Sequence, residues 1–369
     1  MTSPPTFTGY AALARDFIRR ATPASETEFD HLARALFALQ FSHNPGYRRF
    51  CEARSVTPQS LHHWSQIPAM PSSAFKELEL TSLAPAARLR VFHSSGTTEQ
   101  RPARHFHDDE SLGLYEASLL PWFHLHLLGD DSSVRFISLT PPPEVAPHSS
   151  LVHMFGTVHR KFGSPKSCFA GRIEPDGSWG VDIQQTLAAM RDAIANQQPV
   201  IVMGTAFNFV QLLDELAAPR TRLELPAGSR VLETGGYKGR TRSLPKSELH
   251  SEITSAFGVP PARIVSEYGM CELSSQAYDL KIPSPKSPTQ DFSRAFHFPP
   301  WARVRIVSPE NGAEVAEGET GMVRVFDLAN MRSVLAIQTE DLGIRRGGGF
   351  ELLGRAALAE ARGCSLMST

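Results

Sequence analysis

Ser94-Ser95-Gly96-Thr97-Thr98 places four hydroxyls around one glycine. Backbone N–H groups around such a glycine can turn inward as an anion nest, and the hydroxyls add donors for phosphate oxygens. The segment is not Gly-x-x-x-x-Gly-Lys-[Ser/Thr], so a P-loop is excluded. Taken alone it also reads as a polar surface turn. Near the C-terminus, Cys364 follows Arg362-Gly363. A thiolate is a nucleophile, a neighbouring guanidinium lowers its pKa, and a glycine lets the chain bend. By itself this thiol equally fits an incidental tail cysteine. Cys51, Cys168, Cys271 and Cys364 lie far apart, which argues against a zinc site or a disulfide framework. His62-His63, His105-x-His107 and His124-x-His126 match no metal-binding spacing and read as structural or surface histidines. No Gly-x-Ser-x-Gly is present, which removes the serine hydrolase reading.

These residues need elements to position them. Residues 1 to about 65 read as helical: Ser25-Glu26-Thr27-Glu28 is a capping box, and Phe29, Leu32, Ala33, Leu36 and Phe37 repeat at helical spacing. Asn44-Pro45-Gly46 ends that helix, and Ile67 to Pro71 is extended. From about residue 88 to 281 the pattern becomes α/β. Strands are expected at 88–93, 134–139, 200–203 and 230–234, the last breaking at Gly235-Gly236, with helices at 183–196 and 206–217. Such alternation implies βαβ units and a largely parallel sheet. The prolines of 282–300 predict an irregular loop, and strands at 302–307, 321–327 and 332–338 make a β-rich part within about 301–355. The chain is expected to fold as one multi-subdomain body over 1–360, followed by a mobile tail, 361–369.

Its 369 residues suffice for a sizeable core, and 41% hydrophobic with 20% charged residues describes a globular chain. The net charge of −1, with scattered Lys and Arg, excludes a nucleic-acid or anionic-membrane surface. No run is long and apolar enough to span a bilayer, and the N-terminus lacks signal-peptide features, so the cytoplasm is expected.

Taken in order, Ser94 to Thr98, Tyr268-Gly269-Met270-Cys271-Glu272, Thr339-Glu340-Asp341 and Gly354-Arg355 resemble motifs of the adenylate-forming superfamily of acyl- and aryl-CoA ligases, luciferases and adenylation domains. The matching motifs are the phosphate loop, Tyr-Gly-x-Thr-Glu, Thr-Gly-Asp and the Gly-Arg hinge. Pro71 to Lys76, Glu233 to Gly239 and Arg362-Gly363-Cys364 carry a narrower resemblance, covering nearly the whole chain, to the LuxE-type acyl-protein synthetases of the fatty acid reductase system of bacterial bioluminescence.

That resemblance implies the α/β fold of an adenylate-forming large domain, with mixed, largely parallel sheets and a late β-rich subdomain but without the usual small C-terminal domain. It implies an AMP-forming acid–thiol ligase that uses ATP and Mg²⁺ to activate a carboxylic, fatty acid. The acyl group would pass to Cys364 and then to an acyl reductase or carrier protein. Ser94, Ser95, Gly96, Thr97 and Thr98 would hold the β- and γ-phosphates, Gly235 and Gly236 would pass close to adenine, and Tyr268 with Gly269 would lie at the adenine or α-phosphate. Glu272 would hold Mg²⁺, Asp341 the ribose hydroxyls, and Arg355 would sit near the ribose or phosphates. Thr205 and Phe207 mark an acyl pocket, although such an aromatic also reads as plain core. Lys238 and Arg240 are candidates for the cation that a C-terminal domain would otherwise supply, or are solvated surface charges.

Three positions depart from the family pattern. Glu99 replaces a glycine, and a carboxylate facing phosphates is unfavourable unless it points outward. Cys271 exchanges a hydroxyl donor for a poor one, and Glu340 replaces a glycine beside Asp341. Two other readings stand beside this one: an aryl- or acyl-CoA ligase of the phenylacetate type, and a degenerate nucleotide-binding protein that docks a partner without turnover.

Overall fold

The computed structural model describes residues 6–20, 25–94, 101–129, 134–175, 177–217, 222–236, 242–284 and 287–356, the side chains of 281–293 excepted. Helices α1 (Phe7–Arg20), α2 (Glu26–His43) and α3 (Pro45–Glu52) come first. They are followed by β1 (Met70–Pro71), α4 (Ala74–Glu77), β2 (Arg90–His93), β3 (Arg104–His107) and α5 (Asp109–Phe123). The middle of the chain forms β4 (Arg135–Ser138), α6 (Ser150–Phe162), β5 (Cys168–Phe169), β6 (Gly171–Ile173), β7 (Trp179–Val181) and α7 (Ile183–Ala195). Next come β8 (Val200–Thr205), α8 (Ala206–Ala217), β9 (Arg230–Thr234), α9 (Lys246–Phe257) and β10 (Ile264–Tyr268). The chain continues through β11 (Ala277–Ser284), β12 (Ser287–His297), β13 (Ala302–Val307), β14 (Thr320–Asp327), β15 (Ala336–Arg346) and β16 (Gly349–Arg355).

Two compact units result. One is discontinuous, made of residues 1–121 and 269–369, and the other is residues 122–268. The second unit is the α/β part. Its strands run β5-β4-β8-β9-β10, and every pairing among them is parallel. Val200, Ile201, Val202 and Met203 are fully buried, as strands covered on both faces must be. Helices α7, α8 and α9 bring Met190, Phe209, Leu212, Leu249 and Ile253 onto Val202, Val231 and Ile264 in one continuous core.

The discontinuous unit is mainly antiparallel. Its strands run β13-β14-β15-β16-β12-β11, with β1 pairing parallel to β15 and β2–β3 forming a separate hairpin. Helix α2 begins at Ser25 as the capping box predicts, but the Ser25 side chain makes no cap bond; Glu28 pairs with Arg20 instead. Phe29, Leu32, Ala33, Leu36 and Phe37 are all buried. Asn44 ends α2 and starts α3, its side chain accepting from Tyr47 N–H at 3.1 Å.

Two sequence expectations are corrected. Residues 282–300 are not a loop: most belong to the β11–β12 hairpin. Among the described residues β12 is in register with β16 at Phe296–Phe350 alone, so Pro283 and Pro288 remove no bond to that neighbour, and a bulge falls at Pro283/Ser284. The strand expected at 332–338 starts at Ala336 and runs to Arg346. Residues 332–335 are instead tied down by other bonds: Ser333 Oγ donates to the Leu80 carbonyl, and Leu335 N–H donates to Gln40.

Candidate active site

The expected phosphate loop has its neck in the β2–β3 hairpin. Ser94 N–H donates to the Ala103 carbonyl at 3.1 Å, and Ala103 N–H donates to Ser94 Oγ at 2.9 Å. Ser94 therefore closes the neck. Ser95 to Thr98, with Glu99, lie outside the described residues, as do Lys238, Arg240 and Cys364. The neck is joined to the segment after Tyr268. His105 Nδ1–H donates to the Cys271 carbonyl at 2.8 Å, and Cys271 Sγ lies 4.0 Å from the Ala103 carbonyl. Burial lowers His105 to about 4, so its ring is neutral, and pushes the Cys271 thiol well up. The cysteine that replaces a hydroxyl residue thus faces the root of the loop as a neutral thiol.

Glu272 is nearly fully buried. Desolvation raises its pKa; Cys271 and the charge of Arg355 oppose that rise, and Asp341 adds to it. The β15–β16 hairpin sets this trio, because Asp341 and Arg355 are direct register partners. Arg355 Nε sits 3.1 Å from Asp341 Oδ1, and Arg355 Nη1 donates to Glu340 Oε2 at 2.6 Å. The main chain at Asp341 is steadied by its N–H bond to Thr339 Oγ1, whose hydroxyl donates to the Val323 carbonyl. Glu340, where the family pattern has glycine, is therefore the second anchor of Arg355. Its position beside Asp341 was visible in the sequence, but its partner follows only from strand register.

A buried polar network that motif reading missed holds the backbone behind Glu272. Asn330 Nδ2 donates to the Glu272 carbonyl at 2.8 Å. Asp327, fully buried, accepts from Ser274 N–H, Ser275 Oγ and Ala329 N–H at 2.9, 2.7 and 2.9 Å. Trp301 Nε1 donates to Ser118 Oγ, which bonds Ser275. The available signal was the run Ser274-Ser275-Gln276 directly after the motif.

Magnesium prefers oxygen ligands and takes one or two protein carboxylates together with substrate phosphates. Glu272 supplies such a carboxylate, with Asp341 close enough to act on its charge. Among the described residues no group of three or more His, Cys, Asp or Glu side chains can hold a metal alone. This donor set fits a hard cation that arrives with a phosphorylated substrate.

In the second unit the expected residues gather at the carboxyl ends of the parallel strands, where open α/β sheets bind ligands. β9 ends at Thr234 and passes into the exposed Gly235-Gly236. Gly236 has φ +106°, a conformation that suits only glycine, and a Cβ at either position would meet none of the described residues within 4 Å. Tyr268, largely buried, ends β10. Thr205 ends β8; Asn208 Oδ1 accepts from its N–H at 3.0 Å and its hydroxyl at 2.8 Å, while Phe207 is half-buried.

The fold is one shared with solved acyl-CoA ligases. The fold is similar to 2-hydroxyisobutyryl-CoA ligase solved with 2-HIB-AMP and CoA, with a TM-score of 0.61 at 12% identity over 91% of this chain and 69% of that one. An open conformation of the same ligase gives 0.59, with 13% identity over 91% of this chain and 76% of that one. Within that class, residues 143–369 match the family model of acyl-protein synthetase, LuxE, and the chain belongs to that family of ligases. A long-chain-fatty-acid–luciferin-component ligase of Aliivibrio fischeri is 22% identical over 91% of this chain and 86% of its own length. The Vibrio harveyi protein of the same name is 22% identical over 91% and 85%. Among the described residues no helix is long and apolar enough to cross a membrane.

Proposed function

We propose that the chain activates a carboxylic acid, of the fatty acid class named for its relatives, with ATP and Mg²⁺ to give an acyl-adenylate. The acyl group then passes to Cys364 and on to a partner protein such as an acyl reductase. The observation that carries this reading is the meeting of Glu272, Asp341 and Arg355, drawn from three separate motifs into one electrostatic group. Attack of the carboxylate on the α-phosphorus of ATP breaks the α–β anhydride and releases pyrophosphate, and the Cys364 thiolate then takes the acyl group with AMP leaving. The first step brings two anions together, so charge must be absorbed by the metal and by cationic or donor groups. The cation supplies Lewis acidity when bound. Glu272 holds it, Arg355 balances the carboxylates, Asp341 takes the ribose hydroxyls, and Ser94 to Thr98 receive the outer phosphates. Gly235-Gly236 leaves room for the base beside Tyr268. The membership, the relatives' names and the fold support this assignment, and we place the reaction in the cytoplasm.

Acyl labelling tests it. With radiolabelled tetradecanoic acid, ATP and Mg²⁺, a hydroxylamine-sensitive label is expected on Cys364 and absent in Cys364→Ser. Pyrophosphate exchange without protein label, together with CoA-dependent AMP release, replaces the acyl-protein reading by a CoA ligase. Failure of exchange across a panel of acids points to a partner-docking protein without turnover.

A further inference from the structure

The parallel ladder of the second unit changes character one layer from its carboxyl end. Met203, Leu232 and Val265 are register partners across β8, β9 and β10, and all three are buried and apolar. Two residues later the partners are Thr205, Thr234 and Glu267. Residues in register on adjacent strands share a face and alternate along each strand, so this polar row caps the apolar one on the same side of the sheet.

Glu267 is only 6% exposed. The Thr234 side chain hydrogen-bonds it, Glu233 acts on it through charge, and among the described residues no cation shifts it. Burial raises it to about 7, so near neutrality its carboxyl is ready to donate as well as accept. Glu233 lies on the opposite face, where it accepts from Ser266 Oγ at 3.1 Å and lies 3.6 Å from His250 Nε2. That face is closed by its own partners.

A second polar group stands beside the row. Asn208 uses Oδ1 for both the N–H and the hydroxyl of Thr205, and its Nδ2 is buried with no hydrogen-bond partner among the described residues. Leaving a buried amide donor unpaired is costly, and burying a carboxyl with no cation among the described residues beside it is costlier. Both costs fall at the strand ends, where β9 passes into the exposed Gly235-Gly236.

We infer that Glu267, in one layer with Thr205 and Thr234 and beside the unpaired amide of Asn208, selects a carboxylic acid that carries a hydrogen-bonding substituent, a hydroxyl or an amine, along its chain. The inference rests on the acid-activation reading above and narrows its substrate class. A plain methylene chain laid on this row leaves the amide unpaired and gives the carboxyl no partner beyond Thr234, whereas a hydroxyl or ammonium donates to Glu267. Sites built to hydrogen-bond a substrate group discriminate strongly against analogues that lack it.

The test is acid-dependent pyrophosphate exchange with the full chain. The panel is octanoic and dodecanoic acids beside their 2-hydroxy, 3-hydroxy, terminal hydroxy and terminal amino derivatives. At least one substituted acid is expected to exceed its plain parent about tenfold in kcat/KM. In Glu267→Leu that ratio falls to near one; Glu267→Gln, which keeps the shape and the hydrogen-bonding capacity, retains preference for a hydroxyl and loses it for an amine. Comparing Glu267→Gln with wild type keeps the outcome readable if the leucine variant does not fold. Exchange with plain acids at an unchanged ranking in both variants overturns the inference and leaves acid activation standing. No exchange with any acid overturns both. A change in KM for ATP, with the acid ranking intact, assigns Glu267 to the nucleotide and overturns the inference as well.

Discussion

His105 and Glu267 carry opposite pH dependences into the fold. His105 is held neutral, at about 4 instead of its ordinary 6.5, so its contribution is complete above pH 6.5 and is lost as pH falls toward 4. Glu267 is raised to about 7 from 4.5; the folded state binds the extra proton, so its contribution is complete below pH 4.5 and is lost as pH rises through 7. Each shift corresponds to roughly 3 kcal/mol on the scale of 1.36 kcal/mol per unit. Urea unfolding at pH 5 and pH 8 is expected to show Glu267→Gln gaining stability relative to wild type at pH 8, by up to that amount. His105→Gln is expected to flatten the acid limb between pH 6.5 and 4. A Glu267→Gln difference that is the same at both pH values contradicts the assignment. At this scale motifs single out Glu272 and Asp341 in the sequence, and the structure brings both within reach of the charge of Arg355. The sequence was illegible where burial decides the role: nothing in Ser266-Glu267-Tyr268 says that the middle carboxyl is enclosed.

At the scale of elements, the β15–β16 hairpin is the device that turns sequence separation into contact. Asp341 and Arg355 are fourteen positions apart, yet they are direct cross-strand partners, and Glu340 takes the other side of the guanidinium. Arg355 and Glu340 are both about half exposed, so their pair contributes at most about 1 kcal/mol to stability. Its importance is positional. Arg355→Ala is expected to leave the melting temperature within about 2 °C of wild type. It should nevertheless lower acid-dependent pyrophosphate exchange by about 10- to 100-fold, because Glu272 and Asp341 lose their cation. Glu340→Gly, which restores the family residue, should lower exchange less than tenfold. A large loss of stability in Arg355→Ala without a loss of exchange would reverse this account. Strand ends, helix starts and Gly-Gly breaks were readable because periodicity and turn chemistry are local. The β11–β12 hairpin was not, since its prolines lie where a ribbon makes few bonds to the next strand, and that depends on the neighbouring strand.

For the whole molecule, the unit that holds Glu272, Asp341 and Arg355 is assembled from both ends of the chain. Tyr10 OH donates to the Leu328 carbonyl, Gln40 to the carbonyls of Asn330 and Met331, and Met70-Pro71 pairs with Ile337-Gln338. The α/β alternation marked a stretch of about 88–281, wider than the inserted unit of 122–268, and it was readable because contacts there are near in sequence. Closure of the other unit across an intervening domain leaves no periodic trace in either terminal segment. A chain cut after residue 268 is therefore expected to leave α1 to α3 open to protease while β4 to β10 remain protected; equal protection of both regions contradicts the discontinuous assembly.

The pairing of β1 with β15 also sets a clock. Met70 must wait for Ile337, about 267 residues later, and at about 5–20 residues per second that is roughly 13 to 50 s of synthesis. Throughout that interval α2 lacks its C-terminal partners, Arg303 over the Phe29 ring and the backbone groups of Asn330, Met331 and Leu335 at Gln40. The nascent chain is therefore a client for holding factors, and slow translation lengthens its exposure to aggregation.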